Sequence, residues 1–481
     1  MKKKKTPYIN GETCAGCSVC VVNCPMDCLS IEAPKFHGDI HTIACLDESR
    51  CIGCGICARV CPIEAIEMHS KGGMHSMTTK LNLRKVYCRG FQSVMKVGMA
   101  ILPWRVPKTL KGRGAVKKLP EAIKRKKFKK VLVVTDKVLM ELHLLDGMLE
   151  AMDRQGMDYV IYDGVAPNPT DINVEAGVKL YKENRCDCMI AFGGGSPMDC
   201  AKGIGARIAK PRKSVEQLQG LFTVLRPIPT IFAVPTTAGT GSETTVAAVI
   251  TDAQTHHKAS MNDLCLMPKY AVLDPELTAG LPPHVTATTG LDALCHAVEC
   301  YTNNTYNSKL EKDMCKKAVK LIYDNLYTVY QDGRNLKARY NMQKAAFLAG
   351  RAFTRGCVGY VHAIGHTLGG LYGTPHGLAM SILLPHVMRA FGPAAYEKLA
   401  DLCDVCGMKA ADDTPKAKAE AFIDWIEEMK EKMNIPVYPE MIQEEDVDQI
   451  VAWAEKESNP LYPTPVTWDK DDFKNFIQSL K

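Results

Sequence analysis

No apolar run in the 481 residues approaches the roughly 18 that a membrane-spanning helix needs. The stretch from Val97 to Trp104 is far too short, so no membrane association is expected. Four lysines follow Met1, as in a secretory leader, but Thr6 to Thr13 is polar and mixed, and secretion is not expected either. Aromatic residues are sparse at 7%. They interleave too thinly with the basic residues to form a stacking platform, and no nucleic-acid partner is expected. Acidic residues are nearly missing between 71 and 130, where Glu121 stands alone among 18 Lys and Arg. That stretch carries net +17, against −1 for residues 1–70 and −9 for the remainder. The overall +7 therefore records a local belt. We read the belt as solvated surface, for example around Lys124 to Lys130, with docking of an acidic redox partner as the alternative. With 46% apolar and 23% charged residues the chain is globular, and its length suggests about three domains.

Cysteine is unevenly distributed: ten lie in the first 61 residues and eleven in the other 420. The later ones are mostly isolated, which argues for a reducing cytosol rather than a disulfide scaffold. The early ones form two copies of one pattern, Cys14-x-x-Cys17-x-x-Cys20-x-x-x-Cys24-Pro25 and Cys51-x-x-Cys54-x-x-Cys57-x-x-x-Cys61-Pro62. In this spacing three thiolates converge on one cubane and the fourth ligates the other cluster. Crossed ligation assigns Cys14, Cys17, Cys20 and Cys61 to one 4Fe–4S cluster and Cys51, Cys54, Cys57 and Cys24 to a second. Gly16, Gly53 and Gly55 suit a backbone bent around sulfides. Eight thiolates would also serve two zinc sites, but the repeated three-residue final gap with its proline favours clusters. The head resembles bacterial two-cluster ferredoxins over roughly residues 5–70. Cys28 and Cys45 fall outside the pattern and are expected to be buried thiols.

Residues 71–98 read as a basic linker, and residues 99–282 as an α/β domain. Short apolar runs end in turn residues: Val131–Val134 at Thr135-Asp136, Tyr159–Tyr162 at Asp163-Gly164, Cys188–Phe192 at Gly193-Gly-Gly-Ser196, and Ile231–Val234 at Pro235-Thr-Thr237. Such runs separated by helical stretches predict buried parallel strands, with ligands at their carboxyl ends. The dinucleotide fingerprint G-x-G-x-x-G is missing. Instead Gly193 to Pro197 predicts a sharp turn opening a helix, whose free N–H groups can bind pyrophosphate. Pro235 to Glu243 can wrap the rest of a nucleotide. Asp136 can accept both ribose hydroxyls and would repel a 2′-phosphate, favouring NAD over NADP.

From about Pro283 helical periodicity takes over, giving an expected all-α domain over 283–481. Asp292 and His296 lie four apart on one helix face, and His362 and His366 repeat the device before His376. An Asp and histidines on apolar helices can complete a metal site, though spacing alone leaves open which of them ligate. Gly193–Lys202, Pro235–Glu243, Gly290–Glu299 and Val361–Val387 together resemble the iron-containing alcohol dehydrogenases, close to the lactaldehyde reductase and propanediol oxidoreductase branch, from about Phe91 to the end. The resemblance implies a metal in a cleft between the two domains, Fe(II) or alternatively Zn(II), held by Asp292, His296, His362 and His376. It implies nucleotide contacts from Asp136, Asn168, Gly195, Ser196, Pro197, Met198, Asp199, Thr236, Thr237, Thr245 and Lys258. His366 is then the extra histidine near the nicotinamide, a candidate proton relay or an orienting residue. Cys295 and Cys300 are expected as core fillers, and Cys403-x-x-Cys406 as packing.

The function expected is an NAD(H)-dependent dehydrogenase of a small alcohol or aldehyde, cytoplasmic and homo-oligomeric. The alternative is an electron-transfer protein whose dehydrogenase body serves as scaffold. Hydride moves two electrons whereas each cluster takes one, and no flavin motif stands in the chain. The clusters are therefore expected to work with a separate flavoprotein or ferredoxin, or to be structural.

Overall fold

The structure, a computed structural model, describes residues 5–9, 14, 18–32, 43–47, 50–61, 65–70, 83–255 and 258–481. The lysine-rich start through Lys4, Gly16, Cys17, Pro62 and linker residues 71–82 lie outside them. The chain divides into two units, Met1–Leu83 and Arg84–Lys481.

The first unit has strands β1 (Lys5–Ile9), β2 (Leu29–Glu32), β3 (Ile43–Leu46) and β4 (Ile66–Ser70). β1 pairs antiparallel with β4, and β2 with β3. Two short helices, Val19–Val22 and Ile56–Val60, each start after a left-handed residue, Ser18 (φ 63°) and Gly55 (φ 74°). That turn lets the chain curl through the cysteine loop and then enter a helix that buries Cys20 and Cys57. The core is small: Cys20, Leu29, Ala44, Cys57 and Ile66.

The second unit continues with β5 (Lys108–Lys111), β6 (Lys130–Val134), β7 (Asp158–Tyr162), β8 (Cys188–Gly193), β9 (Gly220–Leu221), β10 (Thr230–Pro235), β11 (Ala247–Thr251), β12 (Lys258–Asn262) and β13 (Tyr270–Leu273). Six of these form a parallel sheet in the order β5-β13-β10-β8-β6-β7, while β11, β12 and β9 form a small sheet of their own. β8 and β10 are buried along their whole length, because helices cover both faces, and this is why they read as unbroken apolar runs. β7 lies outside β6 at one edge, whereas β8, the next strand in sequence, lies on the other side of β6. The chain thus changes direction between β6 and β8, and a crevice opens at their carboxyl ends, where an open α/β sheet takes its ligand. Lys124 to Lys127, in the basic belt, are exposed as expected.

Beyond β13 the described chain is helical. The helix Pro283–Thr302 is buried on every side from Gly290 to Thr302, so it forms the axis of this part rather than an amphipathic cover. A Cβ at Gly290 would lie 2.3 Å from Leu326 Cδ1, so glycine is what permits the close crossing with the helix Lys309–Gln331.

The expected linker over 71–98 is corrected. Leu83–Ile101 is a 19-residue helix, and from Arg84 it belongs to the second unit. Two of its basic residues form ion pairs while staying partly exposed, Arg84 with Glu455 at 2.9 Å and Lys85 with Asp472 at 2.7 Å, and Lys96 is exposed.

Candidate active site and cluster pockets

The buried helix Pro283–Thr302 brings Asp292 and His296 to one face, the helix Tyr360–Tyr372 brings His362, and His376 opens the helix His376–Phe391. Asp292 Oδ1 lies 3.8 Å from His296 Nδ1, 4.0 Å from His362 Nε2 and 3.3 Å from His376 Nε2. The first two separations are too long for hydrogen bonds, yet Asp292 Oδ1, His296 Nδ1 and His362 Nε2 are all buried without a partner. Buried polar atoms are ordinarily paired. Here three converge with His376 within 4.8 Å, the donor spacing of one small divalent cation with N and O ligands. Burial lowers His296 to about 3 and His362 well below the ordinary imidazole range, so both present lone pairs at neutral pH. Burial opposes ionisation of Asp292, but His296 and His376 hold its carboxyl below the usual carboxylate range.

Glu299, one helical turn beyond His296, supports this set. Its Oε2 is 2.5 Å from His362 Nδ1, and its Oε1 accepts the Val361 N–H at 2.7 Å. A proton held on Nδ1 leaves Nε2 bare for the cation, which is how a carboxylate orients a ligating histidine. Cys295 is buried as expected, with its Sγ 3.8 Å from His362 Nδ1. Cys300, Cys403 and Cys406 are also buried in the helical core.

A cleft of about 550 Å³ runs past these histidines to the carboxyl ends of the sheet, lined among others by Asn168, Gly195, Ser196, Asp199, Thr245, Lys258, His366 and His376. The helix Gly195–Ala209 starts at Gly194 with no side-chain cap, leaving its first N–H groups for a ligand. Gly193 has φ 149°, and a Cβ there would lie 2.5 Å from Pro197 Cγ, so the turn admits only glycine. Pro197 packs against that turn and the Met198 side chain is buried in the core of the sheet part, which leaves the backbone N–H groups of this helix start, rather than those side chains, facing a ligand. Asp199 accepts from Ser242 Oγ (2.7 Å) and Val249 N (3.0 Å), so it holds the glycine-rich loop and the small sheet in place. Lys202, fully buried, reinforces this by donating to Ser242 Oγ and Thr245 Oγ1, both at 2.8 Å. Lys258 Nζ donates to Asn168 Oδ1 at 2.9 Å. Thr236 is buried with its N–H on Gly193 O, and Thr237 lies beside Gly194. Asp136, at the end of β6, accepts the Leu139 N–H at 3.0 Å and caps the helix Lys137–Glu141. Asp136, Pro197, Met198, Thr236 and Thr237 are not among the described residues lining the cleft.

His366 Nδ1 is 2.8 Å from Glu457 Oε1, which also accepts from Tyr462 OH at 2.9 Å. Burial opposes the protonated ring, but the Glu457 carboxylate lifts His366 above the ordinary imidazole range. With Nδ1 tied to Glu457, Nε2 is the remaining polar atom of a ring that lines the cleft. Glu457 stands 91 positions from His366, and no local pattern in the sequence points to it. Glu299 was legible in principle, three positions after His296 on a helix that already carried two ligands.

The helix Leu336–Gly356 ends at Cys357, whose φ 60° and ψ 168° fall where almost only glycine is found. Asn303 Nδ2 pins this loop through three successive carbonyls, Gly356 O (2.9 Å), Cys357 O (3.1 Å) and Val358 O (3.0 Å). The loop leads directly into the His362 helix, so the pin fixes the ligand's position. We predict that Cys357→Gly unfolds at a higher temperature than Cys357→Ala. Alanine keeps the strain of about 1–3 kcal/mol whereas glycine relieves it. Differential scanning calorimetry checks the order of the two, and the reverse order would mean an unstrained residue 357.

In the first unit, one pocket is lined by Cys24, Cys51, Cys54 and Cys57, which joins the last cysteine of the first run to three of the second. Cys14, Cys20 and Cys61 adjoin the small core, and Cys17 lies outside the described residues. Cys14 Sγ accepts the Ala44 N–H at 3.4 Å, and Cys61 Sγ accepts the Ala65 N–H at 3.2 Å. Backbone donors to sulfur of this kind suit cluster-ligating thiolates. Cys28 is buried as expected but is more than a core filler: it lines the same pocket with its Sγ 3.3 Å from Cys24 Sγ. Burial, with Cys24 beside it, pushes its thiol up to about 12. Cys45, expected to be buried, is half-buried on β3. None of the described cysteines forms a disulfide.

Comparison with known proteins agrees with this geometry. Residues 107–275 match the iron-containing alcohol dehydrogenase model, residues 286–480 the C-terminal model of the Fe-containing alcohol dehydrogenase family, and residues 13–65 a 4Fe-4S dicluster domain. The chain is 36% identical to alcohol dehydrogenase 4 of Schizosaccharomyces pombe over 78% of its own length and 89% of that protein's. It is 39% identical to 1,3-propanediol dehydrogenase of Citrobacter freundii, over 72% and 90% of the two chains. The solved structure of a 1,3-propanediol oxidoreductase superposes with a TM-score of 0.75 at 34% identity, covering 79% of this chain and all of that one. The chain belongs to the iron-containing alcohol dehydrogenase family and carries a 4Fe-4S dicluster domain ahead of it.

Proposed function

We propose that the chain interconverts small primary alcohols and aldehydes with NAD(H), at a divalent iron held by Asp292, His296, His362 and His376. The observation that carries this reading is one cleft lined by His296 and His362, which bear two of the three orphaned buried donors, by His376 and by the uncapped helix start at Gly195, with Asp292 Oδ1 converging on the same histidines from behind. A cation there supplies Lewis-acid polarisation of the substrate oxygen, and a nicotinamide supplies or accepts the hydride. The chain's own residues do the rest. Glu299 sets the His362 tautomer. Glu457 and Tyr462 hold the His366 ring, and His366 Nε2 carries the proton gained or lost by the substrate oxygen. Asp136 meets the ribose with the oxygen that its helix cap leaves over. The clusters exchange single electrons with a separate flavoprotein or ferredoxin, so NADH alone leaves them oxidised. The division into head, nucleotide and metal domains, a homo-oligomeric assembly and a cytoplasmic setting complete the reading. Its thiol content and the lack, among the described residues, of any helix long and apolar enough to cross a membrane support that setting.

The test is a panel of short alcohols and aldehydes with the anaerobic, iron-loaded full chain and either NAD or NADP. Wild type is expected to turn over with NAD. In Asp136→Asn, which keeps the helix cap, the NAD-to-NADP ratio of kcat/KM should fall at least about tenfold, since the charge opposing a 2′-phosphate is gone. No turnover on any substrate would sink the reading and leave the electron-transfer alternative. An unchanged ratio would remove Asp136 from the ribose site.

A further inference from the structure

The helix Leu83–Ile101 lies between the matched dicluster segment, which ends at residue 65, and the matched iron-containing alcohol dehydrogenase segment, which starts at residue 107. Yet Met95 and Met99 line the same cleft as His296, His362 and His366, and so does Trp104 just past the helix end. Trp104 Nε1 donates to Met99 O at 2.7 Å, which fixes the indole against the helix terminus. One turn before Met95, Gln92 is 1% exposed and gives its amide to Pro460 O (3.0 Å) and Tyr462 O (2.9 Å). Tyr462 is the residue whose phenol donates to Glu457, the partner of His366. A short chain of contacts therefore ties the methionine turn to the reaction centre. On the other side, Arg105 donates to Leu264 O at 2.8 Å, just after β12. The segment is thus held at one end by the helical part and at the other by the sheet part, with its methionines between.

Met95, Met99 and Trp104, with Leu264 and Leu461 also lining the cleft, make a wall of carbon and sulfur. Polar residues line the cleft beside this wall too, but their groups are engaged: Asp263 accepts the Val224 and Leu225 N–H groups, Asn262 donates to Ser260 Oγ, and Tyr462 OH donates to Glu457, while Gly195 and Lys258 serve the nucleotide and the histidines the reacting oxygen. A second hydroxyl against this wall would lose its water without gaining a partner. An alkyl tail would gain by burial. Resting on the alcohol–aldehyde reading above, we propose that this helix is a specificity element, and that it selects unbranched primary alcohols and aldehydes with an apolar tail of about four carbons or more over short diols.

The experiment measures kcat/KM of the iron-loaded full chain with NAD for ethanol, 1-butanol, 1-hexanol and 1,3-propanediol. Expected is a rise of about threefold to fourfold per added methylene, with 1,3-propanediol below 1-butanol. In the Met95→Ala/Met99→Ala double variant, the rise should flatten to less than about twofold per methylene. A flat or falling profile in wild type, or preference for the diol, overturns the proposal. A rising profile that the double variant leaves unchanged overturns the assignment to this helix. Should the variant fail to fold, the wild-type profile decides. Calorimetric binding of 1-hexanol against 1-butanol to the full chain separates the two readings: with no turnover on any alcohol, tighter binding of 1-hexanol upholds the apolar wall while the proposed function falls, and equal binding overturns both.

Discussion

His376→Ala is expected to abolish most of the bound iron and most of the turnover, whereas His366→Ala should keep the iron and lose about 10²-fold or more in kcat. The contrast follows from what each ring touches. His376 Nε2 is 3.3 Å from Asp292 Oδ1, in the set of converging donors, and its side chain is 30% exposed, so removing it deletes a ligand while opening little buried space. Its loss should exceed the ~10–100-fold in affinity that the loss of a mere orienting partner costs. His362→Ala should empty the site equally, with an added stability penalty because Glu299 then loses its ring partner. His366 points its Nδ1 at Glu457 and belongs to no converging set. Iron per chain by elemental analysis, beside kcat on the best alcohol, reads all three variants. Equal loss of iron in all of them would place His366 among the ligands and undo the assignment.

The second large effect concerns where the dehydrogenase can be cut. A chain beginning at residue 80 should fold and oxidise alcohols without the cluster domain. One beginning at Phe91, where the family resemblance starts, should be markedly less stable. That cut removes Arg84, the 2.9 Å partner of Glu455, whose side chain is only 4% exposed. It also removes Lys85 from Asp472 and Arg89 from Pro465 O. Because the Arg84 side chain is 52% exposed, losing this pair costs less than the ~3–5 kcal/mol of a fully buried one, but the helix would lose its first two turns as well. Urea midpoints of the two shortened chains, measured side by side, settle the point. Equal midpoints would mean that the helix start contributes nothing.

Much of this molecule was legible in its residues because its chemistry is periodic. The cysteine spacing gave the cluster motif, β8 and β10 are apolar throughout because both their faces are covered, and Asp292 and His296 stand one turn apart. What stayed hidden was non-local or polar. β5 reads Lys-Thr-Leu-Lys because it is an edge strand with exposed side chains, and it vanished into the basic belt. The helix Leu83–Ile101 was taken for linker because its charges find partners more than 360 positions away. Glu457 reaches His366 through the fold alone. Met198 stands within a nucleotide motif, yet the helix turns its side chain into the core, which the motif alone does not show.

The small core of the cluster domain has a consequence for the life of the chain in a cell. Two of the five members of that core, Cys20 and Cys57, belong to the cysteine runs proposed to ligate the clusters, so compaction of the domain is expected to depend on loading. Folding and cluster assembly are one equilibrium, as in small metal-dependent domains generally. When iron or sulfide is scarce, the polypeptide is therefore expected to carry an unfolded extension open to proteases, and the length of the surviving chain would report on the supply of both.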